Sequence, residues 1–139
     1  MQVHASCAAR NSAGVLLLGP PGAGKSDMVL RLLDHGFTLV ADDRVEIDDG
    51  YARPAPGLAG LLEVRGLGIV RLPHVSVARL HLAVALGAGA ERLPAPARLA
   101  ALGLQLVTVD PARPSAGLLV ALALDCALGR VAQVAGAFA

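Results

Sequence analysis

Gly14-Val-Leu-Leu-Leu-Gly-Pro-Pro-Gly-Ala-Gly-Lys-Ser26 is followed by Asp27-Met-Val-Leu-Arg-Leu-Leu-Asp34. Gly14 to Leu18 is a continuous apolar run, the pattern of a strand buried on both faces. From Lys25 to Asp34 the apolar residues Met28, Val29, Leu32 and Leu33 recur at helical spacing, and Gly36 is a C-cap candidate. Between strand and helix, Gly19-Pro20-Pro21-Gly22-Ala23-Gly24-Lys25-Ser26 matches G-x-x-x-x-G-K-[ST] in the context that gives the motif meaning. Gly22 and Gly24 permit positive φ, so backbone N–H groups can turn inward and form a nest for phosphate oxygens. The helix start adds its positive dipole end. Lys25 supplies a flexible point charge for the terminal phosphates, and the Ser26 hydroxyl can ligate Mg²⁺. The competing explanation is an ordinary Gly-rich turn. It leaves unexplained why Lys25 is the only lysine in a chain whose Lys and Arg together number 12.

Working outward, Phe37 to Ala41 reads as a second strand that runs directly into Asp42 and Asp43. Carboxyl ends of neighbouring parallel strands share one edge of a sheet. If this strand neighbours the first, the acid pair faces the phosphates. One Asp could then take a proton from an attacking hydroxyl while the other orients Mg²⁺ or a water. The plainer alternative is a solvated strand end. Further on, Glu63 and Arg65 are two residues apart, on one face if they lie in a strand. Glu63 could ligate Mg²⁺, and Arg65 could hold a phosphate or carboxylate. An exposed Glu–Arg pair is also common and nearly neutral in energy. His4, His35, His74 and His81 have no metal-ligand spacing. His35 falls at a helix C-terminus, His74 and His81 read as structural or exposed, and spacing leaves His4 open.

The remaining segments complete an α/β domain with a mixed sheet. Val3 to Ala9 reads as a strand. Arg44 to Asp48 and Tyr51 to Arg53 read as a hairpin turning at Asp49-Gly50. Leu61 to Leu72 is a glycine-punctuated segment. Val75 to Leu86 and Leu104 to Val109 read as strands, with Gly87 to Pro96 as loop, and a helix covers about Ser115 to Gly129. The chain of 139 residues is expected to form one domain over residues 1–139.

Composition narrows the function. With 55% hydrophobic and 17% charged residues and a mean hydropathy of +0.60, the chain is not intrinsically disordered. A net charge of +1 and 2% aromatic residues speak against a nucleic-acid partner, which needs basic excess or stacking platforms. Leu80 to Ala90 is too short to cross a bilayer and Gly117 to Leu128 is broken by Asp125, so no membrane segment is expected. Cys7 and Cys126 read as free thiols in a reducing cytoplasm. So small and apolar a domain is expected to cover part of its surface by homo-oligomerisation.

Together these segments resemble the HPr kinase/phosphorylase family, bacterial enzymes acting on a serine of the phosphocarrier protein HPr. The resemblance rests on four places: His4 in an N-terminal strand, Gly19 to Ser26, Leu39-Val-Ala-Asp-Asp-Arg-Val-Glu-Ile47, and Leu62-Glu-Val-Arg-Gly-Leu-Gly-Ile69. It is a resemblance to the catalytic domain only, the short form found in proteobacteria. It implies the P-loop fold shared by HPr kinase and phosphoenolpyruvate carboxykinase, a mixed sheet with flanking helices. The implied activity is ATP- and Mg²⁺-dependent phosphorylation of a serine on an HPr-like phosphocarrier in the cytoplasm, regulating the phosphotransferase system. The reverse reaction uses inorganic phosphate and releases pyrophosphate. The implied assembly is a homo-oligomer, a hexamer in the family.

The resemblance also implies roles for individual residues. Lys25 polarises the terminal phosphates, Ser26 and Glu63 are Mg²⁺ ligands, Asp43 accepts the seryl proton with Asp42 beside it, His4 is a catalytic-site histidine, and Arg92 matches a catalytic arginine. The chain departs from the family pattern in two places. Arg71-Leu72-Pro73-His74 replaces a Gly-rich loop, and Ala116 stands where the loop that serves dephosphorylation has an arginine. The alternatives are a kinase for another protein or small hydroxyl acceptor, and a nucleotide-sensing module without chemistry.

Overall fold

A computed structural model describes residues 1–139. The element order is β1 (Gln2–His4), β2 (Ser6–Arg10), β3 (Ala13–Leu18), α1 (Lys25–Leu33), β4 (Thr38–Ala41), β5 (Arg44–Asp48) and β6 (Tyr51–Pro54). It continues with β7 (Leu61–Val64), β8 (Gly68–Arg71), β9 (Ala78–Leu86), β10 (Arg98–Leu99), β11 (Leu104–Val109) and α2 (Ala116–Ala127). This is the expected α/β domain with a mixed sheet. The expected first strand is two, interrupted at Ala5, whose N–H donates to the Asp43 carbonyl instead of to a sheet ladder. The two-residue β10 was not expected.

The main sheet runs β1-β5-β6-β9-β3-β2-β4, with β11 on β9. β3 pairs parallel with β9 and antiparallel with β2, and β2 pairs antiparallel with β4. The premise that β3 and β4 are neighbours is therefore corrected, because β2 lies between them. Of the consequence drawn from it, that the acids lie at the edge that carries the phosphate loop holds for another reason. Two strands antiparallel to the same strand run parallel to each other, so the phosphate loop after β3 and the acids after β4 emerge at one edge.

β3 is buried on both faces, as its unbroken apolar run requires. Val15 and Leu17 join a core with Met28, Val29 and Leu32 of α1 and Val120 and Leu124 of α2. Leu16 points the other way, into a second core with Cys7, Val40, Val45, Ile47 and Ala52. No helix covers that second face. β6 pairs with β9 only at Tyr51↔Arg79 and Ala52↔Ala78, and the β5–β6 hairpin curls back over the sheet. The hairpin turn has Asp49 at φ 52° and Gly50 at φ 81°, the left-handed pair of a type I′ turn. β7 and β8 form a separate hairpin whose residues Leu62, Val64 and Val70 lie on the helix-side core. α1 closes at Gly36, where the Phe37 N–H reaches back to the Leu32 carbonyl at 3.2 Å.

Both cysteines are free. Cys7 is fully buried, and burial pushes its thiol up to about 12. At neutral pH it has almost no thiolate to react. Under native conditions, iodoacetamide is expected to modify Cys126, which is half-buried, and to leave Cys7 untouched until the chain unfolds. Peptide mass mapping checks this, and equal labelling of both would contradict the packing of β2 against the hairpin.

Candidate phosphate site at the end of strand β3

The loop Gly19–Gly24 leaves β3 at the same edge as the β4 acids. Gly22 and Gly24 have φ 85° and 98°, the positive values the motif requires. α1 begins at once, its first bond running from the Met28 N–H to the Gly24 carbonyl at 2.9 Å. The N–H groups of its first turn thus face the loop rather than a preceding helical turn. Gly22, Gly24, Lys25 and Ser26 line a cavity of about 570 Å³, together with Pro21, Ser6, Asp27, Leu30, Asp43, Glu63, Val64 and Arg65. Gly19, Pro20 and Ala23 do not line it; they shape the loop. The Ala23 N–H donates to the Pro20 carbonyl at 3.0 Å. Lys25 Nζ donates to the carbonyls of Gly19 at 2.7 Å and Pro20 at 3.2 Å, which folds the side chain along the loop.

The two aspartates separate. Asp42 is buried beneath the cavity instead of facing it. Its Oδ1 accepts the Ser26 and Ser6 hydroxyls, each at 2.7 Å, and its Oδ2 accepts the Glu63 N–H at 3.2 Å. Asp43 is exposed and lines the cavity. Its φ is 67°, and the Arg44 N–H donates to the Asp42 carbonyl across it at 2.7 Å. That is a γ-turn of positive φ, a strained arrangement for a non-glycine residue. The successive carboxylates thus point apart, Asp42 into the buried layer and Asp43 to the cavity.

His4 is exposed and does not line the cavity. Its Nδ1 lies 3.9 Å from Asp43 Oδ1, and Arg44 Nε lies 3.9 Å from Asp43 Oδ2. Opposite pairing of His4 with Arg44 across β1 and β5 sets both beside that carboxylate. Glu63 and Arg65 both line the cavity, but Arg65 sits in the turn between β7 and β8 and not on the strand. Arg92 is not brought to the cavity. It is exposed on the loop after β9. Ser6 was missed, because a lone serine in an apolar strand carries no motif.

Strain at Asp43 has a measurable consequence. Asp43→Gly is expected to keep or raise the melting temperature, since it relieves up to about 1 kcal/mol of strain. Asp43→Val, with a branched Cβ at positive φ, is expected to lower it. Equal losses for both in thermal melts would contradict the γ-turn.

The donor set suits Mg²⁺. A hydroxyl and a carboxylate are hard oxygen ligands, and Mg²⁺ takes few protein oxygens while keeping waters and phosphate oxygens. Because the Ser26 proton is committed to Asp42, its lone pairs remain for a cation. Ser26 and Glu63 would hold the ion beside the glycine loop.

The chain is similar to known proteins in sequence and in fold. Residues 1–79 match the family described as HPr Serine kinase C-terminal domain. Over 67 residues the chain is 43% identical to the HPr kinase/phosphorylase of Neisseria meningitidis serogroup B, covering 45% of this chain and 21% of that protein. Over 62 residues it is 48% identical to the HPr kinase/phosphorylase of Streptococcus thermophilus, covering 41% and 20%. The chain thus spans about a fifth of the length of these curated relatives. The solved structure of the Hpr(Ser) kinase/phosphatase from Coxiella burnetii superposes with a TM-score of 0.75 at 21% identity, covering 94% of this chain and 92% of that one, so the fold is shared.

Proposed function

Since this chain belongs to the HPr serine kinase C-terminal domain family, we propose that it is an ATP- and Mg²⁺-dependent kinase that phosphorylates a serine of an HPr-like phosphocarrier in the cytoplasm. The observation that carries the reading is the shared cavity: Lys25, Ser26, Asp43, Glu63 and Arg65 line one space. A site that only sensed nucleotide would have no use for an exposed carboxylate held in a strained turn beside the phosphate loop.

The chemistry follows from the placement. The glycine loop and the start of α1 hold the β- and γ-phosphates through backbone N–H groups. Lys25 moves from its loop carbonyls onto the phosphate oxygens and offsets their charge. The acceptor hydroxyl enters on the Asp43 side. As its oxygen bonds to the γ-phosphorus, Asp43 takes the proton and the bond to the β–γ bridging oxygen breaks, leaving ADP. Arg65 adds a guanidinium for phosphate oxygens. His4 and Arg44 flank the Asp43 carboxylate and hold it toward the acceptor. Bound Mg²⁺ would neutralise phosphate charge, with Ser26 and Glu63 as its protein ligands. Little covalent chemistry is asked of the protein; positioning and charge do the work. Asp43 is also the group that would return the proton to serine when inorganic phosphate attacks phosphoserine. Arg92 has no part in this scheme.

Incubation with γ-labelled ATP, Mg²⁺ and HPr, followed by mapping of the label, tests the reading. One phosphoserine on HPr is expected. Label on another acceptor would keep the kinase and change its substrate; nucleotide binding with no transfer to any acceptor would leave a sensing module.

A further inference from the structure

Ser6 is a fully buried polar side chain that also lines the cavity floor. Its hydroxyl and that of Ser26 donate to the same oxygen, Asp42 Oδ1, each at 2.7 Å. The other carboxylate oxygen accepts the Glu63 N–H at 3.2 Å. One buried carboxylate therefore joins β2, α1 and β7, and both residues proposed as cation ligands bond to it, Ser26 through its hydroxyl and Glu63 through its backbone N–H. Ser6 is its anchor on the sheet. Ser6 lies one residue before the Cys7↔Ala41 pair, so the antiparallel register of β2 and β4, carried one residue further, sets it opposite Asp42. With Ser6 in place, the Asp42 carboxylate is gripped from the strand side and the helix side at once.

We propose that Ser6 is a positioning residue of the phosphoryl-transfer site: through Asp42 it fixes the Ser26 hydroxyl in the orientation that receives a divalent cation. This inference rests on the kinase reading above. Removing Ser6 takes one of the three hydrogen bonds from Asp42 and leaves its Oδ1 bonded to Ser26 alone, so the carboxylate and the Ser26 hydroxyl lose their fixed orientation. The glycine loop and Lys25 do not depend on Asp42, so phosphate binding without a cation is untouched.

The test uses the whole chain, Mn²⁺ as a paramagnetic probe and a non-hydrolysable ATP analogue. Mn²⁺ affinity in the presence of the analogue is read by electron paramagnetic resonance. Analogue affinity in EDTA is read by calorimetry. Ser6→Ala is expected to weaken Mn²⁺ about tenfold, the usual scale for a group that orients a metal ligand, and to leave binding in EDTA within about twofold. Ser6→Cys, of similar volume with a weaker donor, is expected to fall between, and it serves if the alanine variant does not fold. Unchanged Mn²⁺ affinity in the variants, or equal losses with and without cation, would overturn the Ser6 role and leave the kinase reading standing. A wild-type chain that binds no Mn²⁺–analogue complex would overturn the kinase reading itself.

Discussion

Asp43→Asn is expected to lower the rate of phosphate transfer to HPr by about 10³-fold while leaving ATP affinity and melting temperature near those of the wild type. A positioned general base contributes on the order of 10²–10⁴ in rate. Asparagine keeps the shape of the side chain, and it tolerates the positive φ of residue 43 as well as aspartate does. The phosphate loop makes no hydrogen bond to Asp43, so nucleotide binding has no reason to change. The loss should appear in kcat and hardly in the KM for ATP. Near-normal transfer by this variant would remove the base assignment. Asp42→Asn is a different experiment. It weakens the buried acceptor of three donors and should reduce stability and cation binding together.

The second large effect belongs to Lys25. Lys25→Ala removes the one ammonium of the chain from the phosphate loop. Loss of a single charge-stabilising group in a transfer site costs on the order of 10²–10³ in kcat. Here ATP affinity should fall as well, because the charge acts on the ground-state phosphates too. Steady-state kinetics with varied ATP separate the two variants: Asp43→Asn loses kcat alone, Lys25→Ala loses kcat and raises KM. Lys25→Arg is not a conservative control. A planar guanidinium cannot follow the compact path that lets Nζ reach both the Gly19 and Pro20 carbonyls. Eleven other cationic positions of this protein are not lysine, and the difference in shape gives a reason.

Much of the site was legible because its parts lie close in sequence. The phosphate loop, its flanking strand and its helix span Gly14 to Leu33, and one motif announces all three. The β5–β6 turn was legible from Asp49-Gly50 for the same local reason. Sheet order was not. Nothing in β3 or β4 says that β2 inserts between them, since pairing order depends on contacts far apart in the chain. The aspartates show the same limit at closer range. Adjacent carboxylates after a strand read as a pair, but the γ-turn at Asp43 sends one to the cavity and buries the other under Ser26. That turn is fixed by Ala5, which donates to the Asp43 carbonyl from 38 residues away. Ser6 was hidden because its partner, Asp42, is remote in sequence. Arg92 was placed by resemblance alone, and the exposed loop that carries it does not reach the cavity.

The central claim is that one bound phosphate is shared by Lys25 on one side and an acceptor hydroxyl facing Asp43 on the other. A crystal structure with ADP, Mg²⁺, aluminium fluoride and HPr tests it most directly. The account predicts the planar fluoride between ADP and the serine oxygen, Lys25 Nζ on its equatorial rim, and a carboxylate oxygen of Asp43 about 3 Å from the serine oxygen. A complex in which the fluoride lies in the glycine loop while Asp43 turns to solvent, with another group on the serine, would contradict it.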